Sequence, residues 1–459
     1  MRIRKYDFNY GRRQMMEKTL KGAGYAGVLG SMWPMVSRSD STDIQRAYPE
    51  EQLSIAAATK GKLKHGDMVT ADNVDYVKDM LDPITYWEVK NDGRKFTVGD
   101  ATTDIHEFFE DTMLQSTLAN MGTSQLDDDL NMWYKGQKGV PAKGGIPFPD
   151  PQTGAQAQAN INFSWGRHNY SQYAIRDWDI GPDGEVQYQY DFVWCELQVT
   201  VRPDDTIWHN QKDMLRYQSV FFTAPNQQAG TSFLSQWYYD QTKFPALLGY
   251  LPAFKRVREY PANQRFEPLV PGITVFLSNA WAAGDPMGTW GNYKIVDRKP
   301  MLGAVQSGWY KDNPNWEIPV HGGPKGQTYF DDHREMCPEC LVVDFEPTSY
   351  PRSPVGKRRN WFDSRSGMFI TSVDYDRKGK VWKLWDAGFQ KKHGLKTGTG
   401  ETLWTWCWVM CHDVQANRMS RLYQAEHCSG GYESQWNTPE DDVAYNKYLT
   451  SQAMRRLGA

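Results

Sequence analysis

The hydrophobic pattern of this 459-residue chain changes period once, at residues 144–151, GGIPFPDP. Before this stretch lie charged, helix-prone segments with no lasting alternation. After it, short Trp- and Tyr-rich segments alternate with period two, the pattern of β-strands. The prolines fix φ and withhold N–H donors, so neither a helix nor a central strand runs through. Gly144 and Gly145 allow a turn closed to other residues. The stretch reads as a rigid, extended lead-in to a β-domain, although a plain surface loop has the same composition.

Upstream, Thr70 or Asp72 is a candidate cap for a helix reaching Leu81, with Val74, Val77, Met80 and Leu81 on one side. Pro83 is expected to end it. Residues 87–98 suggest a short strand pair around Asn91-Asp92-Gly93. A second helix is expected over 105–121, with Phe108, Phe109, Thr112, Met113 and Ser116 on a partly apolar face. Residues 122–143 read as a loop. Residues 160–175 suggest a passage from helix to strand.

The clearest strand spans 186–201. Val193, Cys195, Leu197, Val199 and Val201 share one face; Trp194, Glu196, Gln198 and Thr200 share the other. That predicts a half-buried strand. Further strands are expected at 215–223, 232–239, 254–259, 293–301, 340–346, 357–363, 368–375, 381–389 and 402–414. Short turns such as Asp376-Arg377-Lys378-Gly379 imply antiparallel neighbours. In the last strand Trp404, Trp406 and Trp408 fall on one face, and Cys407, Val409 and Cys411 on the other. Both faces are apolar, so both must be covered. A terminal helix is expected within 438–457. The fold class is α+β and β-rich: one large curved antiparallel sheet, an incomplete barrel, with covering helices.

Composition narrows the function classes. Aromatic residues make up 14% and tryptophan numbers 19, which calls for a sizeable apolar interior or groove. Mean hydropathy is -0.69, and no uninterrupted apolar run reaches transmembrane length. A net charge of -3 leaves no electrostatic footprint for nucleic acid. Lys357-Arg358-Arg359 reads as a solvated face. Arg12-Arg13, followed by a weakly apolar stretch over 22–36, resembles an export signal of the twin-arginine type, although Glu17, Lys18 and Lys21 intervene. The expected organisation is an export signal over 1–40, a helical or irregular segment over 41–143, and the curved β-domain with its C-terminal helix over 144–459.

Candidate chemistry is sparse. Cys337-Pro338-Glu339-Cys340 is a lone C-x-x-C; with Cys411 and His412 it makes a metal-ligand set on paper. Cys407 and Cys411 cannot bridge within a regular strand, where four steps of about 3.3 Å separate them by about 13 Å. Histidines stand beside carboxylates at Asp332-His333 and His412-Asp413, but there is no G-x-S-x-G elbow, Walker A loop or G-x-G-x-x-G. No cofactor is expected. A curved aromatic sheet under covering elements offers instead a concave apolar pocket.

Three stretches carry a family resemblance. GGIPFPDPQTGAQAQANINFSWGR at 144–167, YYDQTKFPALLGYLPAFKRVREYPANQR at 238–265, and YPRSPVGKRRNWFDSRSGMFITSVDYDRKGKVWKLW at 350–385 resemble the domain-of-unknown-function 1329 family. VKDMLDPITYWEV within 72–89 is similar to a segment of some members. That family is bacterial, exported, and similar to the LolA and LolB lipoprotein carriers, whose incomplete barrel is closed by helices over an acyl-chain cavity. The resemblance implies a periplasmic carrier of lipid or another hydrophobic small molecule, soluble or peripheral to the outer membrane, working beside an RND-type exporter and an outer-membrane protein. It supplies no catalytic residue. The expected cavity residues are Val193, Leu197, Val199, Phe369, Val373, Trp404, Trp406 and Trp408, with either face of each strand able to point inward. Alternatives are a metalloprotein or enzyme built on Cys337, Cys340, Cys411 and His412, or a structural adaptor of an export complex.

Overall fold

The computed structural model describes residues 42–164, 167–279, 285–306, 309, 314–438 and 441–458. The expected export signal lies outside them. Among these residues sixteen strands form one open sheet. Two are short and early: β1 (Met68–Val69) and β2 (Phe96–Gly99). A first meander comprises β3 (Tyr170–Ile180), β4 (Val186–Gln198), β5 (Met214–Ala224), β6 (Ser232–Tyr238), β7 (Ala246–Leu251) and β8 (Arg256–Tyr260). β9 (Gly291–Gly303) leads into a second: β10 (Asp332–Glu346), β11 (Val355–Asp363), β12 (Phe369–Asp376), β13 (Val381–Lys396), β14 (Thr402–Asp413) and β15 (Arg418–Ala425). β16 (Gln435–Trp436) adds a short piece beside β3.

Within each meander, neighbours are sequential and antiparallel. The meanders join where β15 pairs with β3, Tyr423 opposite Arg176. β2 instead runs parallel to β10. Eleven consecutive strands, from β10 through β15 and β3 to β7, send side chains into one buried cluster. Laid flat at about 4.8 Å per strand they would span about 48 Å. Curvature lets them converge, and a chain of contacts crosses the concavity from β6 to β10. Trp237 lies 5.3 Å from the Arg265 guanidinium, Arg265 pairs with Asp285 at 2.5 Å, Trp290 donates to Asp285 at 3.0 Å, and Trp290 packs on Phe345 at 5.2 Å.

The chain upstream of residues 144–151 departs from expectation in its local structure. The expected helix ending at Leu81 is a 3₁₀ turn, Val74–Met80, with Val74, Val77 and Met80 buried at the three-residue spacing such a turn requires. Pro83 does not merely stop it. Pro83 opens helix α1 (Pro83–Asn91), and the Asp82 side chain accepts from the Ile84 and Thr85 amides at 2.9 Å. Proline suits the first helical position, where its missing N–H is no loss. The expected strand pair over 87–98 is therefore a helix followed by β2. The helix expected over 105–121 breaks at Phe109 into a 3₁₀ turn, Ile105–Phe108, and α2 (Asp111–Asn120). Residues 122–143 hold a small hairpin, Ser124–Leu126 with Met132–Tyr134.

Residues 144–151 run buried between α2 and α3 (Gly154–Ser164) rather than over the surface. The Ile146 amide donates to Thr117 Oγ1 at 2.9 Å, and Phe148 exchanges two bonds of 2.9 Å with the Asn160 side chain. Gly144 approaches so closely that a Cβ would sit 1.7 Å from the Arg202 carbonyl oxygen; Gly145 takes φ +90° with the Thr117 amide 2.5 Å from where its Cβ would be.

Both faces of the sheet are covered. Residues 44–121 lie over the outer face of β10–β13, joining Ile84, Phe108 and Met113 to Val342, Trp361 and Leu384. Helices α4 (Asp441–Tyr448) and α5 (Ser451–Leu457) replace the single terminal helix expected, and cover the outer face of β4–β6. β4 is therefore buried on both sides from Tyr190 onward, not half-buried as its polar residues suggested. β7 and β15 were not anticipated. In β15, Arg418, Ser420, Arg421 and Gln424 fall on both faces and hide the alternation.

The N-terminal cover is held by buried charge. Arg94 reaches Glu88 and Asp386 at 2.6 Å and Asp332 at 3.4 Å, with every side chain fully buried. Arg334 pairs with Asp332 at 3.0 Å and also with Asp386, while His412 lies 2.6 Å from Glu88. Burial raises Glu88, but the Arg94 guanidinium and His412 outweigh it and leave its carboxyl below the ordinary range. A second knot joins Arg365 to Asp363 and Glu335, each at 2.8 Å, and to the Thr102 carbonyl at 2.8 Å. Removing one partner of such a set leaves buried charge without compensation. Arg94→Ala is expected to destabilise the fold by about 3–5 kcal/mol, read as a lower midpoint in chemical unfolding. Gly144→Ala is expected to cost about 2 kcal/mol or more through the clash with Arg202, whereas Gly379→Ala, at a positive φ with nothing near its side, should show the smaller cost of backbone strain alone.

Candidate functional site

The inner, concave face is the largest apolar surface the fold builds, and its residues come from strand after strand. Phe369 of β12 meets Phe389 of β13 edge-on at 5.8 Å, and Phe389 stacks on Trp404 of β14 at 5.3 Å. Tyr173 of β3 meets Trp406 at 5.4 Å and Trp436 at 6.4 Å. Tyr190, Phe192 and Trp194 of β4 and Phe222 of β5 continue the surface. The indole N–H groups of Trp404 and Trp436 are buried and have no acceptor among the described residues.

Two elements cover this face. Helix α3 is buried on every side, and its polar residues form a ladder: Asn360 to Gln158 at 2.9 Å, Gln158 to Asn162 at 2.7 Å, Asn162 to the Asp285 carbonyl at 2.7 Å. The second is a strap, residues 268–279, which lacks regular structure apart from a bridge between Pro268 and Phe276. Strand side chains hold its main chain. Tyr190 donates to the Pro271 carbonyl at 2.6 Å, the Thr274 amide donates to Ser420 Oγ at 2.8 Å, and Arg358 donates to the Ser278 carbonyl at 2.5 Å. Lys383 donates to the Thr274 carbonyl, with its ammonium 3.2 Å from the centre of the Phe276 ring. Burial pushes the Lys383 amine below its ordinary value.

Of the eight expected cavity residues, three meet on the inner face: Phe369, Trp404 and Trp406. Val193, Leu197 and Val199 point outward under Ala444, Tyr448 and Leu449 of the C-terminal cover. Val373 points outward under the N-terminal segment. Trp408 points outward onto Phe330 at 6.1 Å. Two β-bulges set Val373 and Trp408 apart from the three inward residues. Trp361 opposes Thr371 while Phe362 opposes Phe369, which leaves Ile370 as an extra residue. Gly388 opposes Trp408 while Phe389 opposes Trp406, which leaves Cys407 extra. Each extra residue reverses the facing of the residues beyond it. Phe369 thus parts from Val373, and Trp408 from Trp406, while Val409 and Cys411 turn inward.

The metal-ligand set is scattered: Cys411 and His412 are adjacent in β14 and alternate to opposite faces. Cys411 faces inward, its thiol 3.7 Å from the Thr274 carbonyl, and His412 faces outward to Glu88. Cys337 and Cys340 lie in the outer cluster beneath the N-terminal segment. The four do not converge, and among the described residues no three His, Cys, Asp or Glu side chains are grouped to hold a metal. All six cysteines are buried free thiols. Burial pushes Cys411 and Cys428 up to about 11, so neither is a thiolate at neutral pH.

Sequence reasoning missed the strap and the inward residues Tyr190, Phe192 and Trp194. Their face of β4 carries Glu196 and Gln198 further along, which made it look polar. It also missed a buried line from Ser171 Oγ to His168 Nδ1 at 3.1 Å and from His168 Nε2 to Glu110 Oε1 at 2.9 Å. Glu110 also accepts from the Trp404 amide at 2.6 Å, so the line ties the start of α2 to β3 and β14.

Residues 68–455 match the family model described as protein of unknown function (DUF1329). The chain belongs to the DUF1329 family. No curated protein matches it. Among solved structures, it is similar to a DUF1329 family protein from Desulfovibrio piger, with 12% identity over 66% of this chain and 97% of that one, at a TM-score of 0.44. A candidate outer membrane lipoprotein-sorting protein domain from Vibrio parahaemolyticus shows 14% identity over the same shares, with a TM-score of 0.41. A LolA superfamily protein from Nitrosomonas europaea shows 13% identity over 60% of this chain and 91% of that one, with a TM-score of 0.33. Among the described residues of this DUF1329 chain, no helix is long and apolar enough to cross a membrane.

Proposed function

We propose that this DUF1329 protein is a periplasmic carrier that shelters a lipid or another hydrophobic cargo against its inner face, beside an envelope export system. The observation that carries this reading is the way the inner face is closed. An aromatic-rich apolar surface contributed by eleven strands lies under a strap attached by side-chain bonds rather than by a β-ladder. Side-chain attachments of this kind can be exchanged without unpairing the sheet. An acyl chain inserted there gains about 0.8 kcal/mol per buried methylene. The buried N–H groups of Trp404 and Trp436 would donate to cargo oxygens.

A second reading, an adaptor that docks on an export complex, is favoured by Tyr76 and Trp87, large side chains about half exposed on the N-terminal cover. Capture of export components from membrane extracts, lost in Trp87→Ala, would support the adaptor.

The carrier is tested by mass spectrometry of lipid extracted from the purified protein and by titration with a fluorescent fatty acid. Co-purifying lipid and saturable probe binding are expected, and Phe389→Ala should weaken the probe about tenfold, the effect of about 1.4 kcal/mol. Val443→Asp, on the exposed side of α4, should leave binding unchanged. Neither bound lipid nor probe binding in folded protein would sink the carrier reading. Cell fractionation that places the chain in the cytoplasm would remove the periplasmic part.

A further inference from the structure

Two carboxylates lie on the inner face directly under the strap, and the described residues give them almost nothing to bind. Alternation along β3 turns Asp177 and Asp179 to the same side as Tyr173 and Ile175. Asp177 is fully buried, and neither of its carboxylate oxygens has a hydrogen-bond partner among the described residues. Asp179 is 2% exposed, and its Oδ2 is likewise without a partner. Its Oδ1 accepts from the Ser420 hydroxyl, and Ser420 Oγ in turn accepts from the Thr274 amide of the strap at 2.8 Å. One carboxylate is thus two hydrogen bonds from the main chain that closes the inner face.

Among the described residues, none offers a compensating charge within ion-pair reach. From β4, Asp177 and Asp179 are opposed by Tyr190 and Tyr188, and the Tyr190 hydroxyl is committed to the Pro271 carbonyl. From β15 they are opposed by Leu422 and Ser420. Arg421 projects to the other face, with its guanidinium 5.5 Å from the Trp178 ring and 5.3 Å from that of Phe330, and it favours the charged form of Asp177 only from beyond ion-pair distance, without outweighing burial. Arg418 lies further along β15 and acts on Asp179 only at longer range. The strap, residues 268–279, carries no ionisable side chain. Lys383 contacts the strap at the Thr274 carbonyl.

We propose that Asp177 and Asp179 form a proton-operated latch: protonated, they keep the strap closed over the inner face, and loss of their protons releases it. Two adjacent carboxylates sealed from water cannot both ionise, whereas lifting the strap would hydrate them. Burial, and for Asp177 the neighbouring Asp179, holds both above the ordinary aspartate value; Asp179 is pushed up to about 7. Closure is therefore fully favoured below the ordinary value near 3.8 and is lost as pH rises through about 7. For one linked proton, opening grows about tenfold per pH unit across that window. The latch gives the proposed carrier a means of exchanging cargo. It is tested without cargo, so its outcome is separate from that of the carrier reading.

The test is amide hydrogen exchange of residues 268–279 in the full chain at pH 5 and pH 7, corrected for the intrinsic exchange rate. Protection of the strap should fall by at least about tenfold over those two pH units, while protection of β14 stays constant. Asp177→Asn/Asp179→Asn, which keeps the shape and removes the protons, should show equal strap protection at both pH values. Asp179→Asn alone, a smaller change, guards against misfolding of the double variant and should reduce the pH response. Equal protection of the wild-type strap at pH 5 and pH 7 would overturn the latch. So would an unchanged pH response in a folded double variant.

Discussion

A sheet that is apolar on both faces must be covered on both, and most of this structure answers that demand. Each strand in the middle of the sheet carries large side chains on two sides: Phe192 and Trp194 inward from β4, Val193 and Leu197 outward. Leaving either set in water would forfeit about 25 cal/mol per Å² of apolar surface. The chain therefore spends its non-strand segments as covers. Residues 44–121 take one outer flank, the C-terminal helices take the other, and α3 with the strap takes the concavity. The covers differ in how they are fastened, and that difference bears on function.

The outer N-terminal cover is fastened by charge. Arg94, Arg334 and Arg365 are fully buried against Glu88, Asp332, Asp386, Glu335 and Asp363. Sets of this kind add little net stability over a well-packed apolar contact, but they are costly to separate. They favour one docking geometry, which the parallel pairing of β2 with β10 shares. The inner strap is fastened differently, by single bonds from Tyr190, Ser420, Lys383 and Arg358 to main-chain groups. One of those anchors, Ser420, is also bonded to a carboxylate that lacks a cation. The permanent cover is tied by complementary charge, and the inner one by bonds that a change of protonation can reach.

The curvature of the sheet depends on irregularities that are small in sequence. Ile370 and Cys407 are each one residue more than the opposite strand provides. Such insertions bend and twist the strand locally. They also decide which tryptophans line the concavity, since Trp404 and Trp406 face inward and Trp408 does not. A shift of one residue exchanges the two sets, because side chains alternate strictly along a strand.

The sequence by itself determined the β-rich class, the change of period at 144–151, eight of the strands to within a few residues, and the requirement that β14 be covered on both sides. These are local properties: period-two alternation, turn residues and proline positions act over a few neighbours. The tertiary structure alone decided which face is inside. Val193 and Phe192 are adjacent, equally apolar and equally buried, and only the direction of sheet curvature separates them. It also decided that Cys411 rather than His412 faces inward, because the bulge at Cys407 appears only once β13 is paired with β14. The strap and the carboxylates beneath it were invisible for the same reason. Nothing in residues 268–279 marks them as a cover, and Asp177 and Asp179 look like any polar pair until the fold turns them inward, away from water and out of ion-pair reach of the described cations.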